Sequence, residues 1–176
     1  MMMGHQAPGE YSSDVLADGL EVVFCGINPA VTAARSGHSF SHPSNRFWSV
    51  LHFAGFTDHR LQPEHEHQLL TYGCGITAVV SRPTTRASDV TAAEIRLSAT
   101  VFEAKMRYYA PKTVAFLGKR AVHALLPADD LRWGPQRFRI ADRPIWLLPN
   151  PSGLNRTFSL DALVAAYAEL RRHVRG

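Results

Sequence analysis

The chain has 176 residues, 45% hydrophobic and 19% charged, with a formal net charge of +4. That size and apolar share fit one globular domain with a full core, and the lack of any run of about 18 apolar residues excludes a membrane-spanning helix. The mildly basic balance rests on arginine, the only lysines being Lys105, Lys112 and Lys119; it suits a polyanionic partner without demanding one.

In chain order, residues 1–13 are polar, carry no signal-peptide core, and read as a disordered extension of a single domain over 14–176. The expected location is therefore the cytoplasm, with nucleoid association in a prokaryote. Residues 21–25 are expected to form a buried strand, on the apolar run 22–25. Helical spacing follows over 45–54, with Ser44 as N-cap and Gly55 as stop. A short helix is expected over 63–72, ending at Gly73, and a second strand over 76–80. Thr91 opens a long helix to Tyr109, and Thr91 with Glu94 matches a capping box. A third strand over 113–117 leads through Gly118 into a helix over 120–126. Residues 138–140 pair with 145–148 around Ala141-Asp142-Arg143. A last helix spans 159–173, with Leu160, Leu163, Val164, Tyr167 and Leu170 at helical spacing. Strands alternating with helices predict an α/β fold: a three-layer α/β/α sandwich around a mostly parallel sheet.

Cys25 and Cys74 both stand in apolar settings and read as small buried hydrophobes. Two cysteines cannot supply the four thiolates of an iron–sulfur cluster. His59, His65 and His67 lack zinc-site spacing. No metal and no cofactor is expected.

Two loops carry chemistry. Residues 149–156, Pro-Asn-Pro-Ser-Gly-Leu-Asn-Arg, follow an apolar run. Two prolines and a glycine exclude helix and ladder, so this is a shaped loop at a strand end. It presents an amide, a small residue, an apolar tip and a cation, the inventory of a DNA wedge; an ordinary strand-to-helix loop is the competing reading. Residues 22–30 end similarly, in Gly-Ile-Asn-Pro-Ala. Two Asn-Pro strand ends put Asn28 and Asn150 on one rim of a parallel sheet, where open α/β sheets bind ligands.

The motifs GINPA (26–30), GHSF (37–40), NRFW (45–48), AGFT (54–57), RPT (82–84), LGK (117–119) and LPNPSGLNR (148–156) stand in order. On these, over about residues 20–172, the chain resembles the mismatch-uracil and thymine-DNA glycosylase branch of the uracil-DNA glycosylase superfamily. The resemblance implies that family's fold. It implies a monofunctional glycosylase that flips uracil out of mismatched double-stranded DNA, hydrolyses its N-glycosidic bond and leaves an abasic site, as a monomer. It makes Asn28 the water-positioning residue, Phe40 the ring that stacks on the base, and Ile27 part of the pocket. Gly153, Leu154, Asn155 and Arg156 match the wedge. Asn150 either braces that loop or touches DNA.

Other positions stay open. An uncharged Asn28 orients water but cannot act as a general base. Asp89 is a second catalytic candidate, against a plain helix-end charge. Asn45 either starts a helix or faces the pocket, His38 is ambiguous, and Phe47 and Trp48 read as core. Ala30 replaces a glycine common in the family, and the serines often found near position 33 are missing. No lysine near the motifs suits a Schiff-base lyase. Two other classes compete: a damage-binding protein that does not cleave, and a small-nucleotide binder, which the lack of a phosphate-cradling glycine loop disfavours.

Overall fold

Four short apolar segments and one mixed strand build the five-stranded sheet, and the two-residue period of the apolar ones sorts the core. The computed structural model describes residues 11–126 and 128–176, so residues 1–10 of the extension expected to be disordered over 1–13 lie outside the described residues, while 11–13 are placed. The strands are β1 (Val22–Gly26), β2 (Cys74–Ala78), β3 (Val114–Leu117), β4 (Gly134–Ile140) and β5 (Arg143–Leu148). Their order is β2-β1-β3-β5-β4. All neighbours are parallel except β4 and β5, which form a hairpin. Its turn residues Ala141 and Asp142 have φ of 52° and 61°, the left-handed pair that a tight two-residue hairpin requires.

Phe24, Ala115, Leu117, Trp146 and Leu148 face one layer. Cys25, Val114, Phe116, Ile145 and Leu147 face the other. The first face is covered by α2 (Phe47–Phe53), a 3₁₀ segment (Pro63–Tyr72) and α5 (Leu160–Arg175). The second is covered by α3 (Ala92–Tyr109) and α4 (Arg120–Leu125). The expected three-layer α/β/α sandwich is thus present. Among the described residues no helix is long and apolar enough to cross a membrane.

Several boundaries differ from the sequence reading. A short helix, α1 (Val31–Ser36), follows the first loop; it has no apolar periodicity to announce it. Ser44 does not cap α2, which starts three residues later; Asn45 Oδ1 instead accepts from Phe47 N at 2.9 Å. The capping box at α3 is half formed. Thr91 Oγ1 accepts from Glu94 N at 3.1 Å, but the Glu94 carboxylate turns to Arg82, taking bonds of 2.9 and 2.8 Å. A bidentate charged partner outweighs a single backbone N–H. Leu160 lies partly exposed in the first turn of α5, whereas Leu163, Tyr167 and Leu170 are buried.

The sheet margins are also defined. Val15 pairs antiparallel with Ile76 along the outer side of β2. At the other margin β4 carries a register shift between Pro135 and Arg139. Cys25 and Cys74 are buried and unpaired, as expected of small hydrophobes. Burial pushes both thiols up, Cys74 to about 12, so neither is reactive near neutrality.

Candidate active site

The C-terminal ends of parallel strands leave a crevice where connections diverge. Here it is a cleft of about 430 Å³, formed by the loops after β1, β2 and β5 and by residues 39–45. Asn28 and Asn150 both line it, as the two Asn-Pro loops predict. So do Ile27, Phe40, Leu154 and Asn155. Gly153, Arg156 and Asp89 do not.

Asn28 is held in one orientation. Its Nδ2 donates to Arg82 O and to Thr84 Oγ1, both at 2.8 Å. The Thr84 hydroxyl hydrogen is already spent on Arg86 O at 2.6 Å, so Thr84 Oγ1 must accept. Arg82 O can only accept. The amide cannot flip without losing both bonds, and its Oδ1 has no hydrogen-bond partner among the described residues. That oxygen can accept from a water or a sugar hydroxyl. The loop that fixes Asn28 is itself tied down. Val31 N donates to Thr84 O, Thr84 N to Pro29 O, and Arg82 is clamped by Glu94.

Phe40 has a φ of 54°, uncommon for a bulky residue and costly without external support. Its ring lies 4.1 Å from the buried Phe47 ring, centroid to centroid. The support comes from Ser39, whose polar groups are all bonded. Ser39 N donates to the buried Glu66 carboxylate at 2.7 Å, Trp48 Nε1 donates to Ser39 O at 3.1 Å, and Ser39 Oγ shares a bond of 3.0 Å with the Tyr11 hydroxyl. Phe47 and Trp48 are core, as their place in α2 predicts. Asn45 lines the cleft while its side chain starts α2, so it combines both readings. His38 does not line the cleft; His42 does, its Nδ1 2.8 Å from Ser44 Oγ.

The loop after β5 is rigid by construction. Asn150 Oδ1 accepts from Ser152 N and Asn150 O accepts from Asn155 Nδ2, both at 2.9 Å, so Asn150 braces the loop. The Tyr167 hydroxyl donates to Pro149 O at 2.9 Å, fixing the strand end. Gly153 is needed for closeness rather than flexibility: a Cβ there would fall 2.5 Å from Ser44 Oγ. Arg46 does the most. Its guanidinium donates to the carbonyls of Pro151, Phe158, Ser152 and Asn155 at 3.3, 2.7, 2.9 and 2.8 Å. At the tip, Leu154 is 77% exposed. Arg156 is exposed too, with no hydrogen-bond or ion-pair partner among the described residues.

Asp89 is placed differently from its candidate role. It is exposed, lies outside the cleft lining, and its Oδ2 accepts from Arg86 N at 3.1 Å. This is the helix-end reading, in a short 3₁₀ turn that Arg120 also holds through the carbonyls of Ala87 and Val90. No Asp or Glu is among the described residues lining the cleft. Sequence reasoning missed Thr84, Arg46, Glu66 and Tyr11. RPT and NRFW hold the first two, but their roles depend on loops far along the chain.

Comparison with known proteins bears on the family and the fold. A family model described as the uracil DNA glycosylase superfamily matches residues 13–171. A solution NMR structure from Methanosarcina acetivorans, described as a candidate uracil DNA glycosylase, is 20% identical with a TM-score of 0.65. The match covers 93% of this chain and 96% of that one. At that identity the likeness concerns the fold.

Proposed function

Because the chain belongs to the uracil DNA glycosylase superfamily, we propose that it is a monofunctional DNA glycosylase that hydrolyses the N-glycosidic bond of uracil in mismatched duplex DNA. The nucleotide is flipped into the cleft and an abasic site remains. The observation that carries this reading is the convergence of a fixed amide, an aromatic wall and an exposed apolar tip on one cleft: Asn28, Phe40 and Leu154.

In this mechanism Leu154 fills the vacated stack while Arg156 meets a phosphate. Phe40 stacks on the base. As the bond from C1′ to the base nitrogen breaks, its electron pair leaves with the base, and the sugar becomes oxocarbenium-like. Backbone N–H groups at Ile27 and Phe40 are the proposed donors to the departing anion. Asn28 Oδ1 accepts a hydrogen bond from a water and aims its oxygen at C1′. The new C1′–O bond forms, and the water's proton goes to the base or to solvent. With no carboxylate lining the cleft among the described residues, positioning rather than base catalysis supplies the rate, so chemistry should be slow.

The test is single-turnover reaction with a duplex carrying uracil opposite guanine, followed by alkali to cut abasic sites. Strand breaks at the uracil are expected. Tight binding with no breaks would replace this reading by a damage-binding protein.

A further inference from the structure

The cleft crosses the ends of β5, β3, β1 and β2, so its two ends differ. The loop bearing Leu154 stands at the β5 end. Tyr11, Ser13 and Thr77 stand at the β2 end, where the residues preceding β1 return along the sheet margin. That return is firmly made. Val15 N donates to Ile76 O at 2.8 Å and Ile76 N donates to Val15 O at 2.9 Å. Asp14 pairs with Lys105 at 2.7 Å and accepts from Thr77 Oγ1 at 2.7 Å. Gly75 makes room, since a Cβ there would fall 2.5 Å from Val15 O. Tyr11 is carried in over β2 and held by Ser39, the residue before Phe40.

We propose that Tyr11 forms the end wall of the base pocket and limits the size of base that the enzyme accepts. This rests on the glycosylase reading above. A base entering from the wedge side and stacking on Phe40 points its far edge toward the β2 end. There it meets the Tyr11 ring. The phenol is half-buried and has only two side-chain torsions, so it is a stiff wall. A pyrimidine stops short of it. A base enlarged by a fused ring needs the space that the phenol occupies. Residues 1–13 read as a polar tail, yet their end at Tyr11 to Ser13 completes the site.

The test compares wild type, Tyr11→Phe and Tyr11→Ala in single-turnover reactions on duplexes with uracil or 3,N4-ethenocytosine opposite guanine. Normalising each variant's ethenocytosine rate to its uracil rate removes the difference in leaving-group chemistry. Tyr11→Ala is expected to raise that ratio about ten-fold or more, and Tyr11→Phe to keep it within about two-fold, because the ring remains. An unchanged ratio in Tyr11→Ala overturns the proposal. So does a Tyr11→Phe ratio equal to that of Tyr11→Ala, which would assign the effect to the hydroxyl and Ser39. Should Tyr11→Ala fail to fold by thermal melting, Tyr11→Trp must lower the ratio, and a ratio that holds or rises overturns the proposal. Failure of the wild type to release uracil is a separate outcome; it removes the glycosylase reading, and the wall assignment falls with it.

Discussion

Replacing Arg46 with methionine should disable the enzyme on duplex DNA while sparing single strands. The guanidinium joins the start of α2 to four carbonyls of the loop after β5, and methionine keeps much of its apolar stem while removing every donor. Hydrogen bonds to a charged group contribute about 1.5–3 kcal/mol each. These four share one partly buried cation, and the freed carbonyls can reach water, so the joint loss is nearer ~3 kcal/mol than the sum of four. If that loss falls on ordering the wedge at the transition state, the duplex rate drops about a hundred-fold. An already unstacked strand needs no wedge and should lose far less. Lysine should rescue poorly, because its ammonium is a point charge and cannot span the fork. The assay is single-turnover cleavage of matched double- and single-stranded substrates, with the salt dependence of binding measured in parallel. Equal losses on both substrates would refute the buttress. A flattened salt slope would do so too, since it would make Arg46 a phosphate ligand.

Other substitutions probe the remaining parts. Leu154→Ala should leave the melting temperature unchanged, because the side chain is exposed, and should weaken action on duplex more than on single strands; equal losses would remove it as the plug. Arg156→Ala should reduce the slope of log affinity against log salt by about one contact, while an unchanged slope would deny a phosphate role. Asn28→Ala should abolish most of the single-turnover rate with DNA binding retained, and Asp89→Ala should leave chemistry near normal; the reverse order would restore Asp89 as the base. Asn28→Asp should not gain activity, although a carboxylate polarises water better, because its oxygen would face the Arg82 carbonyl now 2.8 Å from Nδ2. Thr84→Val should slow chemistry about ten-fold without weakening binding, by removing one of the two anchors of the Asn28 amide; a wild-type rate would mean that the Arg82 carbonyl alone suffices.

The legible parts of this chain were those written in local patterns. Apolar runs marked the strands, Thr91 and Ser159 marked helix starts, and the turn residues at 141–142 marked the hairpin. The rim bearing Asn28 and Asn150 followed from two proline-terminated strand ends. What stayed hidden depends on partners that side-chain identity does not advertise. Arg46 binds backbone carbonyls more than 100 positions away, and every residue has a carbonyl. Thr84 matters because its hydroxyl is already committed, which only the folded loop decides. Asp89 offered the right functional group in the wrong place: the 3₁₀ turn that removes it from the cleft has no periodic signature. Tyr11 sat in a polar stretch whose composition suggested nothing to hold it.

The two margins of the sheet have a consequence for life on a crowded polymer. An open strand edge is a template on which another chain can add, and proteins gathered along DNA meet one another often. On one side the hydrogen-bonding groups of Ile76 are taken by Val15. On the other, β4 carries proline at its second position, breaks its register and alternates Arg137 and Arg139 along its length. Proline removes a donor, the irregularity bends the edge, and like charges repel a second copy approaching in register. The same segment that brings Tyr11 to the pocket therefore also covers the outer edge of β2 at Ile76, and shortening the chain before β1 would expose a fresh edge at the moment it opened the site.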